Sequence, residues 1–150
     1  MSSLYVRNQI KTFITTEMPT ETLIDLSGEY AEISDMIADA GLTPSDPWLG
    51  IQFIGNEEVP IGLAAGNTTG KYREVGAVYI HIVDIAKLGG TSAILTRAEA
   101  LRDKLRGQRI GSIIVESVSP PNFDEGGTLR FEGGYMSASF LLSYERDLDL

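Results

Sequence analysis

Apolar residues occupy every second position of the run 136–144, and serines fill most of the positions between them. The apolar positions are Met136, Ala138, Phe140, Leu142 and Tyr144. A side-chain period of two is typical of a β-strand that buries one face. The run therefore predicts a half-buried strand that closes a sheet near the end of the chain.

The longest predicted strand, Lys71–Ile85, is apolar on both faces. One face carries Val78, Ile80 and Ile82, and the other carries Val75, Ala77, Tyr79 and Val83. A strand with two apolar faces is central in its sheet and covered twice, so the second cover would be a helix or another subunit. Gly76 in its middle predicts a bulge or a close approach of the backbone.

Two segments have the spacing of an amphipathic helix, with signals at both ends. The first has Ser2 or Ser3 as its cap and Pro19 just past its end, and its apolar side is Val6, Ile10, Phe13 and Ile14. The second is capped by Thr91 or Ser92 and ended by Gly107, and its stripe is Ile94, Ala98, Leu101 and Leu105. Near its end lie Arg102, Lys104 and Arg106, where cations complement the helix dipole.

An acidic segment at 27–41 also follows a helical rhythm. Its apolar positions are Tyr30, Ile33, Ile37 and Ala40, and its carboxylates are Glu29, Glu32, Asp35 and Asp39. Gly41 can end such a helix. The pattern predicts a short acidic helix, and the alternative is an irregular, solvated excursion.

Three shorter strands are predicted over Thr22–Leu26, Trp48–Ile54 and Ile110–Val118. Between them, Gly55–Gly70 is polar and rich in glycine, which predicts a long connection of the kind that often carries function. Ahead of the closing strand, Thr128–Phe131 could form a small hairpin arm.

The order of helix, strands, helix and strands predicts an α+β fold. We expect a mostly antiparallel sheet with an N-terminal helix and a second helix packed on it. The chain has 150 residues, which is the size of one domain and enough to bury a core without covalent staples. We therefore expect a single domain over residues 1–150.

Composition narrows the classes of function. The chain has no cysteine, which excludes disulfides and thiolate zinc and fits assembly in a reducing cytosol. The formal net charge of −9 disfavours tight binding to nucleic acid. Arg7, Lys11 and Glu17 interrupt the first 18 residues, so we expect neither a signal peptide nor a membrane span.

Few residues have the types and spacing that catalysis needs. His81, the only histidine, lies in a strand pattern, which favours a packed or interfacial side chain over a catalytic triad. Gly70–Lys71 is similar to the end of a phosphate-binding loop, but Tyr72 stands where Ser or Thr is required.

The adjacent carboxylates Glu57–Glu58 and Asp124–Glu125 are too few for a hard-cation site. We expect no catalytic set, cofactor or metal. The rival hypothesis is a small hydrolase or isomerase that uses these loop acids.

Surface residues remain as candidates. Large amphipathic side chains are enriched at the cores of interfaces, and a long polar loop can reach another chain. The candidate contact residues are Trp48, Glu57, Glu58, Asn67, Tyr72, Tyr79 and Tyr135.

The order of segments resembles one family. The segments are Tyr72–Ile82, Gly89–Gly90, Ala98–Leu105, Val115–Pro120 and Gly134–Glu145. In this order they resemble the tail terminator proteins of long-tailed, siphovirus-like bacteriophages and related prophages. The resemblance covers nearly the whole chain and depends on the succession of strands, helix and turns. The segment at 27–41 is longer and more helical than the family's link at this place, so it is interpreted as an insertion.

The resemblance implies an antiparallel sheet with helices packed across it, and no enzymatic activity. It implies a structural virion protein that forms a hexameric ring on the head-proximal end of the tail tube. The ring would end tube polymerisation and offer a surface to head-completion or neck proteins, after assembly in the host cytoplasm. DNA would pass through its lumen without specific binding, which agrees with the acidic composition, and no membrane would be involved. The alternative is a head-closure or neck adaptor protein of the same virion.

Overall fold

The computed structural model describes residues 3–27, 33–60, 71–85, 90–123 and 135–149. In these ranges the helices are α1 (Leu4–Glu17), α2 (Ile33–Asp39) and α3 (Gly90–Leu105). The strands are β1 (Leu23–Asp25), β2 (Trp48–Pro60), β3 (Lys71–Ile85), β4 (Arg109–Ile110), β5 (Ile113–Val118) and β6 (Tyr135–Asp149).

The strands of the described ranges form one sheet in the order β1-β2-β3-β6-β5-β4. Neighbouring strands are antiparallel except for the parallel pair of β1 and β2. The predicted α+β class with a mostly antiparallel sheet is confirmed, and β3 is central, as its two apolar faces predict.

One face of the sheet, which we call the helix face, packs against α1 and α3. Its buried strand residues are Leu49, Ile51, Phe53, Val78, Ile80, Ile82, Ala138, Phe140, Leu142 and Tyr144. The helices contribute Val6, Ile10, Ile14, Ile94, Ala98, Leu101 and Leu105. The alternating run at 136–144 and both amphipathic stripes therefore meet in one core, as their periodicities predict.

The pairing of β3 with β6 runs without a break from Lys71 opposite Asp149 to Ile85 opposite Tyr135. Within it, Gly76 lies opposite Tyr144, and a Cβ at Gly76 would come within 2.5 Å of the Tyr144 hydroxyl oxygen. The predicted close approach is thus made by a tyrosine ring, and only glycine leaves room for it.

The helix ends follow their sequence signals with one exception. Ser3 caps α1, since its side chain accepts a hydrogen bond from the Val6 amide at 3.3 Å. Gly107, with φ of +72°, follows the end of α3 as predicted. The prediction that Thr91 or Ser92 caps α3 is wrong, because the helix already includes Gly90, whose small size suits its buried position.

The acidic segment forms α2, and Gly41 adopts φ of +78° beyond its end. Ile37 is buried, as predicted. Ala40 is exposed, contrary to prediction, because the helix stops at Asp39 and Ala40 already belongs to the turn. The start of the predicted helix, including Glu29, Tyr30 and Glu32, lies outside the described residues.

Strand β2 is six residues longer than its apolar run, so the prediction of a loop from Gly55 is wrong as far as Pro60. The register shifts between Phe53 and Asn56, and pairing with β3 then resumes as far as Tyr72. This irregularity absorbs the turn-like residues without ending the strand. Residues 61–70 lie outside the described ranges.

The strand predicted over Ile110–Val118 is two strands, β4 and β5. Gly111 and Ser112 form a two-residue connection between them, and Gly111 has φ of +60°. A glycine with positive φ at the first position of such a turn is what a type II′ hairpin requires. At the other end of the chain, β6 extends to Asp149, and the predicted arm at Thr128–Phe131 falls outside the described residues.

An ion pair ties α3 to the ends of the central strands. The Arg97 guanidinium donates to both carboxylate oxygens of Glu21, with Nε–Oε1 and Nη2–Oε2 distances of 2.7 and 2.6 Å. It also donates to the carbonyl oxygens of Val83 and Trp48, at 3.3 and 3.5 Å. The two side chains are only 19% and 12% exposed, so the pair is largely removed from water.

Candidate interaction surface on the second face of the sheet

The face opposite α1 and α3, called here the second face, is covered by α2 at one end. Here Trp48 and Val83 are buried against Ile37 of α2 and against Ile24 and Leu26. This cluster accounts for one end of the second apolar face of β3, and its cover is a helix of the same chain.

The middle of the second face carries half-buried side chains. Tyr79 lies opposite Gln52 on one side and Leu141 on the other, and Ala77 lies opposite Ser143. All five are only partly buried, whereas the neighbouring positions on the helix face are fully buried. This stretch therefore leaves aromatic and aliphatic surface accessible to a further protein layer.

A polar group is buried beneath this surface. His81 is fully buried, its Nδ1 lies 2.7 Å from Ser139 Oγ, and its Nε2 lies 3.4 Å from Gln52 Oε1. In the tautomer with the proton on Nε2, that nitrogen donates to Gln52 Oε1 and Nδ1 accepts from the serine hydroxyl. Burial lowers the pKa of His81 to about 4, so the ring is neutral at pH 7.

The sequence pattern does not predict the Ser139–His81 pair. The two residues lie directly opposite each other on β6 and β3, so the signal was the strand register rather than any spacing. A serine beside a histidine is the start of a nucleophilic site, but here both residues are at most 2% exposed. No substrate can reach the hydroxyl in this conformation, which agrees with the prediction of a packed histidine.

The far end of the second face is charged. Arg73 Nε lies 2.7 Å from Asp147 Oδ1, and Arg73 Nη1 lies 3.4 Å from Glu145 Oε2. These hydrogen bonds and charges raise the pKa of Arg73. Glu116 shares a hydrogen bond with Glu145, which raises the pKa of Glu116 above the ordinary value of a glutamate. Three carboxylates thus surround one guanidinium, and the patch has an acidic excess.

The helix face also ends in a polar cluster, where α1 begins. Glu74 is 1% exposed and accepts a hydrogen bond from the Tyr144 hydroxyl at 2.9 Å. Arg146 Nη1 lies 3.9 Å from Glu74 Oε1, and the guanidinium stacks 4.0 Å above the Tyr5 ring. Hydrogen bonds from Ser112 lower the pKa of Tyr5. This cluster fixes the first turn of α1 on the sheet.

The candidate contact residues fall into different environments. Trp48 is fully buried in its own chain, which leaves no indole surface for a second subunit. Tyr72 and Tyr79 are half-buried, on the helix face and the second face respectively. Glu57 and Glu58 are exposed, and they lie on β2 rather than in the predicted loop. Asn67 and the side chain of Tyr135 are outside the described part of the chain.

The described ranges contain no group of three or more histidine, cysteine, aspartate or glutamate side chains placed to hold a metal ion. The pair Asp124–Glu125 lies outside those ranges. Glu57 and Glu58 are consecutive on a strand, so their side chains project to opposite faces and do not converge on one ion.

None of the helices in the described ranges has the length and apolar character that a membrane crossing requires.

Comparison with known proteins gives no identification. No protein-family model matches the chain, and no curated protein matches it.

Proposed function

We propose that this chain is a tail terminator protein of a long-tailed bacteriophage, a non-enzymatic virion component that forms a hexameric ring on the head-proximal end of the tail tube. The observation that carries the proposal is the second face of the sheet. Tyr79, Ala77 and Leu141 remain half-buried there, while α1 and α3 cover the other face. A ring subunit needs a partly exposed apolar surface of this kind, since part of its sheet becomes buried only when neighbouring subunits assemble against it.

The order of elements supports the same proposal. The helix α1 precedes the strands, α3 lies between β3 and β4, and the long strand β6 comes last along the chain, where it pairs between β3 and β5. This is the succession on which the resemblance to tail terminators depends. The net charge of −9 fits a ring through which DNA passes, because carboxylates repel phosphate over about 8 Å at physiological salt.

Removal of the gene from its phage tests the proposal. Loss of a tail terminator should give overlong or aberrant tail tubes, because nothing would stop tube polymerisation. Loss of a head-closure or neck adaptor should instead leave free tails of normal length. Normal free tails would overturn the terminator assignment and favour the adaptor. Particles with normal, joined tails would contradict both roles.

A further inference from the structure

One row of residues crosses five strands of the sheet in direct register. Glu57 lies opposite Val75, which lies opposite Glu145 on its other side. Glu145 lies opposite Ile114, and Ile114 lies opposite Arg109. Residues directly opposite one another project to the same face of a sheet, so Glu57 and Arg109 mark the two ends of one row on the second face.

Both ends of this row lie at an edge of the sheet. β1 pairs with β2 only from Leu49 to Ile51, so within the described ranges no strand covers the outer edge of β2 at Glu57. β4, which carries Arg109, is the outermost strand on the opposite side. In the described part of the chain, neither edge has a further strand paired with it at these residues, and such edges are surfaces on which another strand can dock.

The charges at the two edges are opposite. Glu57 and Glu58 are exposed, and the described residues offer neither carboxylate an ion pair. Arg109 is exposed, and its Nε donates only a long hydrogen bond, 3.4 Å, to the carbonyl oxygen of Gly111. Beside it lies Arg106, whose ion pair with Asp103 is 3.4 Å long and exposed. Such a pair contributes little to stability.

This division of charge extends along the sequence. Residues 12–70 contain ten aspartates and glutamates and no lysine or arginine, and they supply β1, α2 and β2. Residues 97–109 contain five of the twelve lysines and arginines, and they supply the end of α3 and the start of β4. Arg97 and Lys104 are paired with Glu21 and Glu17, so the charges that bear on the two edges are Glu57 and Glu58 on β2 and Arg106 and Arg109 near β4.

We infer that the β4 edge of one copy docks against the β2 edge of a second copy, with Arg109 facing Glu57. The partner is a second copy of this chain, because each copy carries Glu57 at one edge and the complementary charge of Arg109 at the other edge, in the same register row of the sheet. The two surfaces are different, so the contact is head-to-tail, and repetition of it gives a ring where the rotation closes. The inference rests on the proposed self-assembly and adds an edge contact to the second face, which the proposed function already assigns to the assembly.

Charge reversal at the two ends of the row tests this contact in the purified full chain. Glu57→Arg and Arg109→Glu each place like charges against each other at every contact, and each should weaken self-association by more than about tenfold. An equimolar mixture of the two variants, or both substitutions in one chain, restores opposite charges and should restore assembly. Glu99→Arg on the exposed side of α3 is the matched control. Sedimentation velocity at low and high salt measures all six samples, and wild-type assembly should weaken as salt rises.

The inference is overturned if single reversals assemble like the wild type, if the paired reversals fail to restore assembly, or if the wild type stays monomeric at every concentration. The same proteins added to polymerising tail tube protein separate this result from the function. If the wild type and both single variants cap the tubes equally, the edge contact is overturned and the terminator role stands. If rings form in a charge-dependent way but leave the tube length unchanged, the edge contact stands and the terminator role is overturned.

Discussion

His81 shows how the fold controls a single residue. Its ring lies between a serine on β6 and a glutamine on β2, and both ring nitrogens have a neutral partner. Burial removes hydration from the ring, and this loss disfavours its protonated form. The residue therefore contributes to stability only in its neutral form.

The stability of the fold should consequently fall in mild acid. The folded pKa of His81 is about 4 against 6.5 for an ordinary histidine, so the unfolded chain takes up the proton first. The contribution of neutral His81 to the free energy of unfolding is complete above pH 6.5 and is lost as the pH falls towards 4. By pH 4 the loss amounts to about 3 kcal/mol. Urea unfolding from pH 7 to pH 4 should show this loss in the wild type. In His81→Gln, the free energy of unfolding should fall less steeply between pH 6.5 and pH 4. The account would be contradicted if the free energy of unfolding depended on pH in the same way in both proteins.

Contacts between single residues are the features of this fold that its sequence predicts least. Nothing in the spacing of His81 and Ser139 indicates that they touch, because their contact is set by the register of two strands 58 positions apart. Trp48 was a reasonable candidate for a protein contact, but α2 packs on the cluster that contains it. Burial of an aromatic side chain depends on which element covers it, and a single sequence does not carry that information.

At the scale of elements, α3 is attached to the sheet by its apolar stripe and by Arg97. The guanidinium joins the segment before β1, the start of β2 and the end of β3 through four hydrogen bonds. Three segments distant in sequence therefore meet at one side chain. A lysine could not replace it, because its single ammonium group cannot reproduce the fork that holds Glu21.

Arg97→Met should accordingly lower the free energy of unfolding by about 3 kcal/mol, because it leaves a largely buried Glu21 carboxylate without its partner. Lys104→Met is the matched control. Its exposed pair with Glu17, at 3.4 Å, should contribute less than about 1 kcal/mol. Urea denaturation of the two variants at pH 7 measures the difference. Equal losses would contradict the role of Arg97 as the tie between α3 and the sheet.

Most elements could be predicted because their periodicity is local. The stripes of α1 and α3 and the alternation in β6 follow from the burial of one face. The far half of β2 could not be predicted in this way. Gly55, Asn56 and Pro60 are turn formers. Asn56 and Pro60 pair with β3, and Gly55 lies within the irregularity between Phe53 and Asn56. Turn residues within a ladder are held by long-range partners, which local patterns do not report.

At the scale of the whole molecule, the two faces of the sheet differ in how far helices of the same chain cover them. α1 and α3 complete the core on the helix face, while the middle of the second face presents half-buried apolar residues beside an acidic patch. Such an asymmetry suits a subunit whose second layer is supplied on assembly.

A charge in the middle of the second face should therefore affect assembly more than folding. Leu141→Arg places a guanidinium beside Tyr79, and it should abolish ring formation and tube capping while the monomer keeps a cooperative unfolding transition. Leu95→Arg, a half-buried leucine of α3, is the control and should leave assembly intact. Light scattering and circular dichroism together separate the two effects. Normal assembly of Leu141→Arg would show that this surface stays free.

The length distribution of tail tubes, polymerised from the tube protein of the same phage with and without this chain, tests the central claim most directly. A terminator ring should shorten the tubes in proportion to the amount added, and electron microscopy should show a collar at one end of each tube. Tubes of unchanged length with bare ends would contradict the assignment of the chain as the subunit that stops tube growth.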